Sequence, residues 1–310
     1  MNNSIRFSIK KAFKYYLDAF FYLFLIKLLL EKMKKLALLF IVVLLTSISY
    51  GQKREKVKGS KIVTIEKKEI GNFENLEIED NLEILLIKSD KCSLEIEADD
   101  NLHSEININT NGNTLRLTTL KDVGGFKKFL VKVFYNNDFK LLLAKHETII
   151  TATSDVELDN FTIKSFDYSK IFMNGKIKTF TIMQNDKSKS ELNLKAEMVT
   201  IELSKNAQLK ALIASNQLKA DLYQKSSAVV EGDVIDLKLR LDNSSEFTGM
   251  NLISKSAELI AEANTTTKIN VVTNATIEAS GKSEIQFYGD AKIELKKFTE
   301  NTVIMKKTLK

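Results

Sequence analysis

"ATIEASGKSEIQFYG", residues 275–289, holds two short runs of alternating apolar and polar residues with a serine-bearing break between them. The same phrase stands at 237–249 as "LKLRLDNSSEFTG" and at 218–232 as "LKADLYQKSSAVVEG". Strict alternation marks a strand with one buried face, so each phrase predicts strand, tight bend, strand. Phe161, Phe180, Val199, Leu218, Leu237, Leu259 and Ala275 serve as equivalent points. The first five lie 19 residues apart, and Leu237 to Ala275 spans two periods with the middle point shifted by three. Two residues beyond each point come Ile163, Ile182, Ile201, Ala220, Leu239, Ala261 and Ile277, all apolar. A second strand follows ten and twelve residues beyond, from Ile171 and Met173 in the first period to Ile285 and Phe287 in the last.

Two such strands per period are too short to bury a core as separate hairpins. Stacked one coil on the next, about 4.8 Å apart, they would share a continuous apolar interior. The expected fold is therefore all-β, a single-stranded parallel β-helix with coils of about 19 residues. An antiparallel sandwich is the alternative, but it requires no constant period. Eight residues past each point stand Ser169, Ser188, Ala207, Ser226, Ser245, Thr267 and Ser283. A small residue fits a tight corner, and its hydroxyl can bond a backbone group left unpaired there. Ser154 is assigned to the same corner ladder, and no histidine follows the repeat to activate a serine. Gly175, Gly232 and Gly289, fourteen past their points, are expected at a second corner that needs left-handed backbone angles. Residues 61–145 alternate less regularly, with "NGN" at 111–113 as a hairpin turn, and read as the cap and first coils of the same domain.

The segment from Met33 to Gly51, "MKKLALLFIVVLLTSISYG", has the basic, apolar and small-residue regions of a secretory signal peptide, with cleavage expected after Gly51. An uncleaved membrane anchor is the alternative. Residues 1–32 carry a second apolar run and read as an over-called start or a membrane-associating leader. Residues 52–70 read as a basic spacer, and 71–310 as the β-helical domain. Eight of the 46 Lys and Arg, but only two of the 40 Asp and Glu, precede residue 52, so the remaining chain balances 38 bases with 38 acids. The overall charge of +6 therefore belongs to the leader and gives no support to nucleic-acid binding. Cys92 is the sole cysteine, so no intrachain disulfide can form, and it reads as a small half-buried residue.

An enzymatic reading rests on an outward column three residues past the repeat points. It holds Glu202, Asp221, Glu262 and Glu278, with Arg240 between the pairs. Glu202 and Asp221, one coil apart, would approach the separation of about 5 Å used by retaining glycosidases. The cation within the column reads equally as charge pairing between coils, and no tryptophan is present to stack on a sugar. His103 and His146 lack metal-ligand spacing, and no nucleotide or phosphate motif is present, so no catalytic, metal or cofactor site is assigned. Thr162, Thr181, Thr200 and Thr276 form an outward threonine ladder, suited to a solvated surface that could meet a glycan.

"FENLEIEDNLEILLIKSDKCSLEIEADDNL" from Phe73, "TATSDVELDN" at 151–160 and "YGDAKIELKKFTENTVIMKK" near the end resemble the putative auto-transporter adhesin, head GIN domain family of secreted bacterial proteins. The resemblance runs from Phe73 to about Lys307. It departs at Ala291, where the family usually has proline; this chain has none. It implies a right-handed parallel β-helix, exported, and carries no established activity with it. The repetitive solenoid surface and the export signal lead instead to the expected function, a non-catalytic surface or adhesive scaffold binding a glycan or cell-envelope polymer; a polysaccharide lyase or hydrolase is the alternative. Any membrane contact is expected only through an uncleaved leader.

Overall fold

The computed structural model describes residues 27–40 and 54–309. Residues 27–40 form a helix, and no described helix is long and apolar enough to cross a membrane. The expected cleavage point after Gly51 and residues 1–26 lie outside the described residues. Residues Glu55–Lys310 form a unit with its own apolar core.

The repeat builds a β-solenoid of about nine turns with coils of about 19 residues. Phe161, Phe180, Val199, Leu218 and Leu237 are successive partners in one parallel ladder. All five are buried, as are Ile163, Ile182, Ile201, Ala220 and Leu239 two residues on. Strands such as Lys170–Gln184 and Lys189–Leu203 alternate buried and exposed residues until two neighbours face out together, Lys178 with Thr179 and Glu197 with Met198. Lys178 and Glu197 drop out of the pairing at that point. The slip of one residue turns the chain while keeping the apolar residues of both halves toward the same interior. Bulk is shared between the two halves of a coil. Phe180 is followed by buried Ser190, whereas Phe247 is followed by Ala257. A narrow interior packed to crystal-like density needs that compensation.

The repeat points require one correction. Leu237 pairs with Ala257, and Ala257 with Ala275, so two coils run 20 and 18 residues; Leu259 belongs two residues on, between Leu239 and Ile277. Thr267 consequently leaves the corner. It pairs with Phe247 and Ile285, faces inward, and its buried hydroxyl has no partner. Its corner place is taken by Thr265, whose hydroxyl donates to Ser283 Oγ at 3.1 Å. Ser154 is also misplaced: it lies in an exposed bend after Ile149–Ala152, and the corner below Ser169 is Thr148. Ser169, Ser188, Ser226, Ser245 and Ser283 are buried at the corner. Ser169 and Ser188 donate to the carbonyls of Phe166 and Asn185 at 2.7 and 2.9 Å within their own turns. Ser226 and Ser245 reach instead to the preceding coil, to Leu203 O at 3.2 Å and Leu222 O at 3.0 Å. The turns they close carry non-glycine residues at positive φ, including Gln224 and Lys225 and the pair Asn243 and Ser244. Such angles cost about 1–2 kcal/mol per residue, so a hydroxyl that ties the turn down offsets part of that strain.

The three glycines do not form one corner. Gly175 is mid-strand without positive φ, and a Cβ there would lie 2.9 Å from Ile177 Cδ1, so it is small for packing. Gly232 has φ 112° where the ladder to the next strand shifts register, and Gly289 has φ 78° just after Glu284–Tyr288.

The first coils are stacked out of chain order. Asn75–Ile78 pairs in parallel with both Thr114–Thr119 and Leu141–Ala144, and Glu83–Lys88 with both Phe129–Tyr135 and Ile149–Ala152. The coil from 114 to 135 is thus outermost, and the earlier coil from 75 to 88 lies beneath it. Glu79 bridges three layers, taking Arg116 at 2.9 Å and Lys145 at 2.8 Å. Burial pushes the Glu79 carboxyl up, but these two cations hold it below the usual carboxylate range. Antiparallel strands close this end: Ser93–Asp99 pairs with Phe129–Tyr135, Val63–Glu69 with Ser93–Asp99, and Ile106–Asn111 folds back on Thr114–Thr119 around the expected turn at Gly112.

Residues 52–70 are therefore not a spacer from Glu55 onward. Lys56–Lys58 pairs with Asp122–Gly124, and Val63–Glu69 is an edge strand whose Lys67 reaches Glu95 at 3.5 Å. Lysines on an edge strand keep it soluble and discourage further pairing, which made the segment look like a loop. The "EADDNL" phrase anchors this edge. Asp99 is fully buried and accepts from the backbone N–H of Lys61 at 2.8 Å, Lys127 at 3.1 Å and Lys128 at 3.0 Å. Burial raises the Asp99 pKa, but those N–H groups outweigh it and hold the carboxyl below its ordinary value. A folded pKa below the unfolded one gives stability present above the unfolded value and lost as pH falls through the folded one. Thermal melts from about pH 7 to about pH 3 should show the wild type losing stability, and Asp99→Asn starting lower with a shallower dependence. Parallel pH curves for the two proteins would contradict that role.

Candidate functional site

Side chains that alternate outward from a stacked ladder form straight rows along the solenoid. The row beginning at Thr162 runs Thr181, Thr200, Lys219, Lys238, Glu258 and Thr276. Two residues further on runs Lys164, Met183, Glu202, Asp221, Arg240, Ile260 and Glu278. Ile260, not Glu262, fills the place beside Arg240, because the coil of 20 residues displaces the later numbering. Glu262 lies past the strand end and meets Arg240 Nη2 at 3.3 Å.

Glu202 and Asp221 are direct partners across neighbouring strands. Their surroundings differ. Asp221 takes Lys219 Nζ at 2.9 Å, and that hydrogen bond, with the attraction behind it, raises the lysine's pKa. Tyr223 stands beside them with its pKa raised, first by burial and then by the Asp221 charge. Arg240 lies 6.0 Å from the Tyr223 ring centroid. Asp221 and Arg240 already have counter-charges in contact, Lys219 and Glu262 respectively. The arrangement sets hydroxyls and charges of both signs side by side in parallel outward rows.

Beside these rows a groove of about 590 Å³ runs across several coils, lined by Met198, Thr200, Gln217, Lys238, Ser256 and Asn274 among others. It has mixed polar character, with Lys238 reaching Glu258 at 3.4 Å. The residues from Met198 through Gln217 and Ser256 to Asn274 sit one place before the repeat points, a row missed in sequence because amides and serine there look like ordinary strand surface. Among the described residues no group of histidine, cysteine, aspartate and glutamate could hold a metal ion. His103 instead meets Thr64 Oγ1 at 2.8 Å, His146 occupies a positive-φ turn position, and Cys92 is buried.

A cap of antiparallel strands, stacked coils and long polar rows define a β-solenoid. The model of the putative auto-transporter adhesin, head GIN domain family matches residues 72–291, and the chain belongs to that family. No curated protein matches it. Among solved structures it is similar to a putative adhesin from Parabacteroides merdae ATCC 43184, with TM-score 0.62 and 17% identity over 83% of this chain and 100% of that one. A putative adhesin from Parabacteroides distasonis ATCC 8503 gives TM-score 0.63 and 16% identity over 82% and 100%. A putative lipid binding protein from the same organism gives TM-score 0.59 and 15% identity over 83% and 100%. At these identities the likeness carries the fold.

Proposed function

We propose that this protein is exported and acts as a non-catalytic binding scaffold at the cell surface or envelope, with a glycan or another repetitive envelope polymer as its ligand. Family membership over residues 72–291 is the observation that carries the reading, and the adhesin names of the similar structures support it. A solenoid offers rows of hydroxyls and charges at a fixed repeat of about 4.8 Å, which suits a ligand that is itself repetitive. The three-part signal after Met33 supports export. The balanced charge from residue 52 onward argues against a ligand held by net charge alone.

The pairing of Glu202 with Asp221 is the one feature that favours a hydrolase or lyase instead. A glycan and matrix-protein screen with the chain from Gln52, run beside a reducing-sugar release assay, separates the two readings. The expected result is binding without bond cleavage, with Glu202→Gln/Asp221→Asn keeping both fold and binding. Polysaccharide cleavage by the wild type that disappears in the double variant would replace the scaffold with an enzyme.

A further inference from the structure

The two ends of the solenoid are finished differently. At the first end the outermost coil is covered, and Leu115, Leu117, Val131 and Val133 are at most 1% exposed. At the other end the last coil carries the interior columns into open space. Ile293, Leu295 and Phe298 continue the columns of Ala275, Ile277 and Ala279. Their exposures are 37, 50 and 43%, against at most 2% for the residues they stack on. Lys306 shields the neighbouring column, its Nζ 5.7 Å from the Phe287 ring centroid and 2.9 Å from Asp290. Nothing in the described residues covers the other three.

Lysines surround this apolar end. Residues 291–310 hold six lysines and two glutamates, Glu294 and Glu300. Lys292, Lys296, Lys297 and Lys307 are exposed, and none has an ion-pair partner among the described residues. At the first end the acids are matched by the chain's own cations, such as Glu95 with Lys132 at 2.7 Å and Glu105 with Lys121 at 3.6 Å.

These facts limit what can meet the open end. A second copy docked through the same end about a two-fold axis would set lysine against lysine. A head-to-tail copy would offer a closed end whose acids are already paired. An apolar patch ringed by unpaired lysines instead matches the boundary between anionic headgroups and acyl chains, where apolar side chains enter and lysine stems reach back to the phosphates. We propose that the C-terminal coil, through Ile293, Leu295 and Phe298 with Lys292, Lys296 and Lys297, docks on an anionic lipid bilayer. The long faces then project away from the membrane, so the contact is independent of which polymer they bind.

The test uses the unit with its own core, as the chain from Gln52. This chain has no tryptophan, so Phe298→Trp introduces a single indole reporter. With vesicles containing about a third phosphatidylglycerol, the emission should shift to the blue and the unmodified protein should co-sediment; pure phosphatidylcholine should do neither. Lys296→Gln/Lys297→Gln should weaken partitioning about 30-fold with an unchanged melt. Equal behaviour on neutral and anionic vesicles, or unchanged partitioning of the lysine variant, would overturn the proposal. So would a lipid-free dimer in sedimentation that already shields the indole.

Discussion

Ile201→Asp should destabilise the solenoid by about 4 kcal/mol or more, while Thr200→Asp, its neighbour, should change stability by less than about 1 kcal/mol. Ile201 is wholly buried between Ile182 and Ala220, so the new carboxylate would replace apolar contacts and find no donor. Thr200 points outward between Thr181 and Lys219, where a carboxylate meets water and a lysine. Urea unfolding of the two variants measures the contrast directly. Equal losses would mean that the inward and outward rows are not as assigned.

Phe139→Ala should cost about 3–5 kcal/mol and should act first on the cap. Phe139 is 1% exposed and sits at the meeting of four rings. Its centroid lies 5.7 Å from Phe73, 5.1 Å from Tyr135 and 4.9 Å from Phe161, the last of which continues to Phe180. It therefore joins the out-of-order first coils to the regular repeat. In a repeat structure stability is a sum of unit and neighbour terms, so breaking one junction decouples what lies beyond it. Hydrogen exchange should show amides in 93–135 losing protection well before those in 189–241. Uniform loss along the whole chain would contradict the junction role.

Much of this architecture was legible because a buried column repeats at a fixed distance. Thr267 and Glu262 share one physical origin for their displacement. Ala257 and Leu259 are both apolar and two residues apart, so choosing the wrong one preserves the alternation of inward and outward residues. A shift of two in a period-two pattern is invisible to hydrophobicity; only the pairing partners reveal it. That one slip carried Thr267 into the corner and Glu262 into the acidic row. Gly175 was misread for a different reason: glycine can answer a demand for angle or for space, and the sequence does not distinguish them. The stacking of 114–135 outside 75–88 could not be read at all, since neighbouring strands in sequence are the default neighbours in space. The candidate face was legible in its threonines and in Glu202 and Asp221. The fixed counter-charges at Lys219 and Glu262 depend on side-chain reach, which no spacing encodes.

The solenoid requires its outward residues to form one straight ladder. Spin labels at Thr162→Cys and Thr276→Cys, in a Cys92→Ser background, measure it with one distance. Six in-register steps separate these positions. Dipolar spectroscopy should therefore give a narrow distribution centred near about 29 Å, allowing for the label arms. A broad distribution, or a separation well under about 20 Å as in a sandwich that folds the last strands back beside the first, would contradict it.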